Sequence, residues 1–484
     1  MKLYAHFFGS KLYTFWCKKT VLASAIVLAT SACSSVDFDE SIAKVNQQTN
    51  GFTQGQLGLI KTQEQRELMD KLAEELLNQP ITQSGAVRLA LVNSPALQAM
   101  LAQSWADTAI SAQSGQIANP SLSLERVRIA DELEIGRFLA VGLLDIMTLP
   151  QRKQIAKQQI IHQQLLLTSN VIDQITQVRL AWVKAVAAQQ SWVYAKQVYE
   201  AAQLSSDLAK RMQTVGNFTK LQRARQQAFY ADAVNQLATA QHTSLATKEE
   251  LVRLLGLSQE QAKNLQLPDQ LPALPKLPRS PQEVSLLASQ HRLDVQLAQA
   301  QLAAQAKAQG LNKVTSWTDI ELGARRDSVF NNAEGKSDSK KGYELSFQLP
   351  LFDWGLNQRD GMNAQTLAAA NRLEATVRSA SSSLRENYSA YRTAYDVSQH
   401  YRDEVVPLRK LISEENLLRY NGMLIGVFDL LADTRDQISS VIAAISAQQQ
   451  FWLADAALQA SIIGKPTTVL VGAMSVGTQA DVKH

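Results

Sequence analysis

The stretch Lys341–Leu351 reads KGYELSFQLPL, and within it Tyr343, Leu345, Phe347, Leu349 and Leu351 alternate with Glu344, Ser346 and Gln348. Period-two alternation puts apolar side chains on one face of a strand and polar ones on the other. Just upstream, Ile320, Leu322 and Ala324 alternate in the same way with Asp319, Glu321 and Gly323. The segment between them, Arg326–Gly342, is polar and rich in Asn, Ser and Lys, and reads as an exposed loop. An earlier island, Pro120–Met147, is less regular. There Leu133, Ile135, Leu139, Val141 and Leu143 keep step, but Arg137 shares their face and Phe138 and Leu144 fall on the other. Each island thus offers strands fit for an apolar medium on one side and water on the other.

The rest of the 484 residues is rich in Ala, Gln, Leu and Glu and poor in glycine, a composition that favours long helices. A stripe through Ile161, Leu165, Ile172, Ile175, Trp182, Val186 and Val193 advances in steps of three and four, with Thr168, Arg179 and Gln189 at the polar places. Such a heptad pattern asks for a supercoiled helical partner. The uninterrupted stretch Gln151–Gln213 would be roughly 90 Å long at 1.5 Å per residue, more than a compact domain houses. Further helices are expected over Thr219–Leu255, Glu283–Gln309, Asn357–Tyr420 and Val427–Ile463.

The plan is written twice. Leu149-Pro150 and Leu349-Pro350 close the two islands, and each following helical region turns at a glycine, Gly216 and then Gly422. Ala90–Gln103 resembles Leu287–Gln301 at the start of each half. Prolines 268, 272, 275, 278 and 281 mark an extended connector between the copies. The expected organisation is a signal segment 1–32, an acylated segment 33–82, a first copy 83–265 with strands in 120–147, a Pro-rich linker 266–282, a second copy 283–463 with strands in 317–351, and a tail 464–484.

The start of the chain is a targeting device. Lys2, Lys11, Lys18 and Lys19 precede the apolar run Val21–Ala29, which ends at Thr30-Ser31-Ala32-Cys33. Met1–Ala32 hold these lysines, no arginine and no acid, so their removal takes the formal net charge from +4 to zero. The basic pI is therefore a property of the leader, and no electrostatic footprint for nucleic acid remains. Cys17 leaves with the leader, so Cys33 is the single cysteine of the mature chain and no intramolecular disulfide can form. Thr30–Cys33 resembles a bacterial lipobox, with Thr30 where leucine is usual, and makes Cys33 the candidate for acylation; the alternative is an ordinary signal with a chance cysteine.

Two strands per half cannot stand alone in lipid, because their edges leave backbone groups unpaired in a medium that supplies no partners. Closure into a barrel requires several chains; a trimer would supply twelve strands, an even number within the range of outer-membrane barrels. The expected fold is a transmembrane β-barrel with four strands per chain, continuous with a long α-helical barrel of coiled-coil hairpins.

Taken together, the doubled plan, AVRLALVNSPAL at Ala86–Leu97, Asn119–Leu124, and LPLFDWG at Leu349–Gly355 resemble the TolC outer-membrane efflux family over roughly Ala86–Ile463. The resemblance implies a homotrimer in the outer membrane that extends into the periplasm. It implies a periplasmic adaptor and an inner-membrane pump of the resistance-nodulation-division class as partners, and a small-molecule exit duct as the function. It also implies a periplasmic gate, carried here onto Tyr420, Asp429 and Asp433, with Asp436 farther along; the family's two aspartates are usually three apart, whereas these are four apart. The competing reading is that these are solvated acids early in a helix, favoured by its dipole. Gly216 and Gly422 would form the tips that meet the adaptor, or simply end helices. Trp317, Tyr343, Phe352 and Trp354 flank the second strand pair as membrane-interface aromatics, or as core in a soluble domain.

Enzyme signatures are missing: there is no phosphate-cradling Gly-rich loop and no paired-His helix, and the scattered histidines offer no metal centre. No catalytic residue and no cofactor are expected. Two rival readings stay open at this stage, a periplasmic coiled-coil scaffold or adaptor lipoprotein without a barrel, and a glycan-processing lipoprotein enzyme.

Overall fold

The structure, a computed structural model, describes residues 37–467 apart from 50, 291, 317, 332 and 333. The signal segment, Cys33, Trp317 and the tail from 468 lie outside the described residues.

Two helices open the described chain, α1 (Phe38–Gln48) and α2 (Gln63–Leu77). The first half then runs α3 (Gln83–Asn93), α4 (Pro95–Gln113), β1 (Ser121–Ile129), β2 (Glu132–Gly142), α5 (Leu143–Thr214) and α6 (Lys220–Leu255). A short α7 (Gln259–Asn264) leads into the connector. The second half runs α8 (Pro281–Gln290), α9 (Leu293–Thr315), β3 (Ile320–Asn331), β4 (Lys336–Phe347) and α10 (Leu356–His400). A π-helical turn (Tyr401–Val405) then leads to α11 (Val406–Asn421) and α12 (Val427–Ile463). The strands form one antiparallel four-stranded sheet in the order β1-β2-β3-β4, so β1 and β4 are its edges.

Three boundaries differ from the sequence expectation. α5 starts at Leu143, eight residues before Gln151, and carries Pro150 inside it, which makes a rod of 72 residues or about 108 Å. Proline early in a helix is tolerable because only one carbonyl a turn upstream, that of Ile146, loses its partner. Asp145 in the first turn meets the positive end of the helix and pairs with Arg152. Second, the polar segment 326–342 is mostly strand: β3 and β4 run through it and leave only a short turn ending at Gly335, whose φ is +64°. Third, the last long helix before the second tip breaks into α10, the π turn and α11, because Pro407 cannot donate to the carbonyl of Asp403.

The heptad stripe is the core. Ile172, Ile175, Trp182 and Val186 on α5 are buried against α3, α4 and the end of α6. The Trp182 indole donates to the carbonyl of Ile81 at 2.8 Å. Two of the polar places of the stripe, Thr168 and Arg179, are buried too, because the N-terminal segment lies over them, while Gln189 is half-buried. Thr168 donates to Gln48 at 3.0 Å, and the Arg179 guanidinium donates to the carbonyl of Phe52, stacks on its ring at 4.3 Å and reaches Gln459 of α12 at 2.8 Å. Burial pulls that guanidinium down to about 10, against the attraction of Asp455. The connector is strapped down in an extended form. Leu267, Leu271 and Leu274 are buried, Trp452 donates to the carbonyl of Pro272 at 3.0 Å, and Tyr395 donates to Pro275 at 3.1 Å.

Candidate channel wall, tips and gate

Residues directly opposite in an antiparallel sheet share a face, so the register sorts every strand side chain. One face carries the rungs Phe347–Ile320, Leu345–Leu322–Val141 and Tyr343–Ala324–Leu139–Leu122 at the end joined to the helices. Farther out on the same face come Lys341–Arg326–Arg137–Leu124, then Arg126 and Arg128 of β1. The opposite face carries Glu125, Glu132, Glu134, Glu321, Asp327, Asp338 and Glu344 with Arg325, Lys336 and Lys340. The irregular first island is partly explained: Arg137 joins a cation row that crosses the face between the apolar rungs and the outer Ile135 and Leu133, while Phe138 packs on the other face against Gly323, where a Cβ would come within 2.3 Å of its ring.

On the central strands the buried positions Gly136, Ala140, Gly323 and Asp327 all belong to the acidic face, whereas Leu139, Leu322 and Ala324 are exposed. Side chains crowd on the inside of a curled sheet, so the acidic face is concave and the apolar one convex. Tyr343 is 91% exposed and Phe352, between the sheet and α10, is fully exposed at 100%. Trp354, also exposed, lies at the foot of the sheet beside Phe352. These aromatics are therefore surface groups in the single chain. Among the described residues no helix is long and apolar enough to cross a membrane. None of them forms a cluster of His, Cys, Asp and Glu able to hold a metal ion.

Each long hairpin ends in a short turn. At the first tip Gly216 takes φ +83°, and Thr219 caps α6 while Gln222 returns a bond to the Thr219 N–H at 2.7 Å. At the second tip Gly422 is not the left-handed residue: its φ is −80°, and Met423 takes φ +57° while 93% exposed. The reason is spacing from the next cap. Gly216 stands three residues before Thr219, and Met423 stands three before Gly426, the N-cap of α12. The sequence match of Gly216 to Gly422 is therefore one residue out of structural step.

The same spacing places Asp429 where Gln222 stands in the first hairpin. Its carboxylate accepts from the Gly426 N–H at 3.1 Å, so it caps its own helix, in keeping with the dipole reading of an early acid. Asp433 is 8% exposed, with one carboxylate oxygen unpartnered among the described residues, and occupies the place of buried Gln226. Tyr420 is at the end of α11, and no hydrogen bond or ion pair joins Tyr420, Asp429 and Asp433 within one chain. Sequence reasoning named Asp436 but missed the cations, Arg409 and Arg435, that tie this region down. Asp436 pairs with Arg409 of α11 at 3.1 Å, and Arg435 stacks on Phe229 of α6 at 4.3 Å and leans toward Gln226. Nothing in a linear pattern marks these pairs, which join residues from different helices.

Comparison with known proteins bears on the fold. No protein-family model and no curated protein matches the sequence. Among solved structures, a membrane protein from Pseudomonas aeruginosa superposes with a TM-score of 0.65 at 18% identity, covering 81% of this chain and 93% of its own. The outer membrane channel CmeC of Campylobacter jejuni gives 0.63 at 15%, covering 85% and 89%. The outer membrane protein VceC of Vibrio cholerae gives 0.62 at 15%, covering 83% and 97%. At such identities the likeness establishes a shared fold: long helices joined to a small antiparallel sheet, as in those channels.

Proposed function

We propose, from a fold shared with outer-membrane channels, that this chain is a member of the TolC-like family and the exit duct of a tripartite efflux system. The observation that carries the proposal is the sheet. Its convex face offers apolar rungs, its concave face is acidic and wet, and β1 and β4 end in unpaired edges. Lipid does not tolerate such edges, and pairing β4 of one copy with β1 of the next removes them. Three copies complete the wall around water, and the helical hairpins continue the cylinder into the periplasm. The tips at Val215–Thr219 and Asn421–Gly426 then face a periplasmic adaptor, and an inner-membrane pump supplies the cargo. Cys33 carries the acyl anchor. Phe352 and Trp354 sit at the periplasmic interface of the membrane. The domain scheme is 33–82 anchor, 83–265 first copy, 266–282 connector and 283–463 second copy. In this scheme the protein conducts and performs no chemistry.

The periplasmic gate lies at the second tip, with Asp429 and Asp433 of the copies gathered about the axis. Mutual repulsion of carboxylates and attraction for cations suit a constriction that opens. Asp429→Ala with Asp433→Ala is expected to raise the closed-state conductance in planar bilayers; unchanged conductance removes the assignment.

The duct reading is tested in a Cys33→Ser background, which has no thiol in the mature chain and no acyl anchor. Cysteines placed at Ser121 or Ser123 of β1 and at Ser346 of β4 should oxidise into a ladder that stops at the trimer, in protein that still fractionates with outer membranes. Release of the Cys33→Ser chain into the soluble fraction as a monomer favours the scaffold reading instead.

A further inference from the structure

The convex face of the sheet changes character along its length. Its rungs are apolar from Phe347 to Tyr343; then Arg137, Arg326 and Lys341 stand side by side across three strands with Leu124 at the end of their row, and farther out Arg126 and Arg128 on β1 share rungs with Ile135, Leu133 and Phe330. All five cations are exposed, and no acid among the described strand residues shares their face. Their only hydrogen bond among the described residues runs from Arg137 to Ser328 at 3.4 Å. The concave face is the opposite case: Arg325 pairs with Asp327 at 2.9 Å, Lys340 with Glu134 at 3.5 Å, and Lys336 with Glu334 at 3.1 Å. Cations kept away from every acid are positioned for an anion outside the chain.

Geometry fixes where that anion is. All four helix connections leave from the same end of the sheet; the Lys341 row crosses the strands at mid-length, and Arg126 and Arg128 lie beyond it, away from the helices. Hydrocarbon does not accept unpaired guanidinium groups, so the row at Lys341 marks the rim of the apolar band. From Lys341 to the end of β4 at Phe347 a strand tilted as in outer-membrane barrels rises roughly 15 Å, and the exposed Leu349, Leu351 and Phe352 carry the apolar band on below the sheet. Lys341 lies on edge strand β4, and Arg126 and Arg128 lie on edge strand β1, all on the same face, so a junction of β4 with the β1 of the next copy brings cations of two chains to one seam.

We infer that this belt binds the phosphate groups of the phosphorylated glucosamine lipid of the outer leaflet, the lipid A moiety of lipopolysaccharide. The inference rests on the duct reading for its orientation. Guanidinium groups grip phosphate oxygens in a forked, planar geometry, and lysine adds a point charge. Bound lipid would fasten the barrel at its outer rim and seal the seams between copies, where each phosphate can touch cations of two chains.

The test uses the full-length purified channel in non-ionic detergent, with bound lipid counted by native mass spectrometry. The wild type should retain bisphosphorylated lipid A at least roughly tenfold better than the same lipid stripped of its phosphates. The variant Arg126→Gln, Arg137→Gln, Arg326→Gln, Lys341→Gln should lose that preference. Arg325→Gln, Lys336→Gln, Lys340→Gln, which removes cations from the concave face, should keep it. Equal retention of the two lipids by the wild type overturns the inference, as does a preference that survives in the first variant. Displacement of the lipid by inorganic phosphate at matched concentration also overturns it, in favour of a soluble anion site. Should the first variant fail to assemble, the two lipids on the wild type decide alone. Planar-bilayer conductance of the wild type reports separately on the duct: pores without a phosphate preference sink only the belt, and absence of pores sinks the duct.

Discussion

The two long hairpins follow one plan and are held with very different firmness. α5 is unbroken, and its middle third is buried beneath α1, α3 and the loop around Phe52. Its counterpart in the second half breaks at Tyr401–Val405, and α11 beyond the break has no buried residue among those described. Elements that bury little open at small cost, and a π turn ahead of a proline is a ready joint. The first hairpin is therefore the firmly held one and the second the looser, and in the proposed duct the looser hairpin is also the one that carries Asp429 and Asp433.

The largest effect is expected where the two halves are fastened together. Arg179→Ala leaves the Phe52 carbonyl and Gln459 without a donor, and buried Asp455 with Arg279 as its only cation. A loss of about 3 kcal/mol is expected, as for breaking a buried charge network, read as a lower midpoint in thermal dissociation. A midpoint within error of the wild type would mean that the halves are held together by packing alone. The tips come next. Gly216→Ala forces a Cβ into a left-handed residue and should cost about 1 kcal/mol, whereas Met423→Gly relieves the same conformation and should gain roughly 0.5 kcal/mol. If both changes shift stability in the same direction, the one-residue offset between the tips is wrong.

The smallest effect concerns pH. Burial holds the Asp455 carboxyl above its ordinary value of 3.8, with Arg279, Gln459 and Arg179 pulling it down. The neutral form is thus the one the fold prefers. Its contribution is complete below the ordinary value and is lost as pH rises through the raised one. Asp455→Asn, neutral throughout, should remove that descent from the pH–stability curve and leave stability at neutral pH within about 1 kcal/mol of wild type. A curve that keeps the same descent would place its origin elsewhere.

What could be read from the chain, and what could not, follows from the reach of local patterns. The strands beside Leu322 and Leu345 were legible because lipid and water impose opposite demands on alternate residues. Within Arg326–Gly342 almost every residue on both faces is polar, Val329 and Phe330 excepted, so the alternation fades and the segment looks like a loop although most of it is ladder. The run Leu143–Leu149 is apolar enough for strand or helix, and only the register, which ends β2 at Gly142, decides. The heptad stripe announced α5, but not that Thr168 and Arg179 would be covered, since their partners lie more than a hundred residues away. At the second tip, acids on one helix were visible in the sequence, while Arg409 and Arg435, which hold that helix to its neighbours, were not.

The free margins of β1 and β4 also govern how the molecule is born. One chain has two adhesive borders, two chains joined side by side still have two, and every incomplete ring pays the same penalty while it has gathered fewer subunits to offset it. Under the proposed duct, populations should therefore contain solitary chains and finished rings with little between them. In that scheme a nascent subunit has to be shielded from aberrant strand pairing until closure, so the step most vulnerable to a chemical antagonist is the meeting of those borders rather than the passage of the proposed cargo.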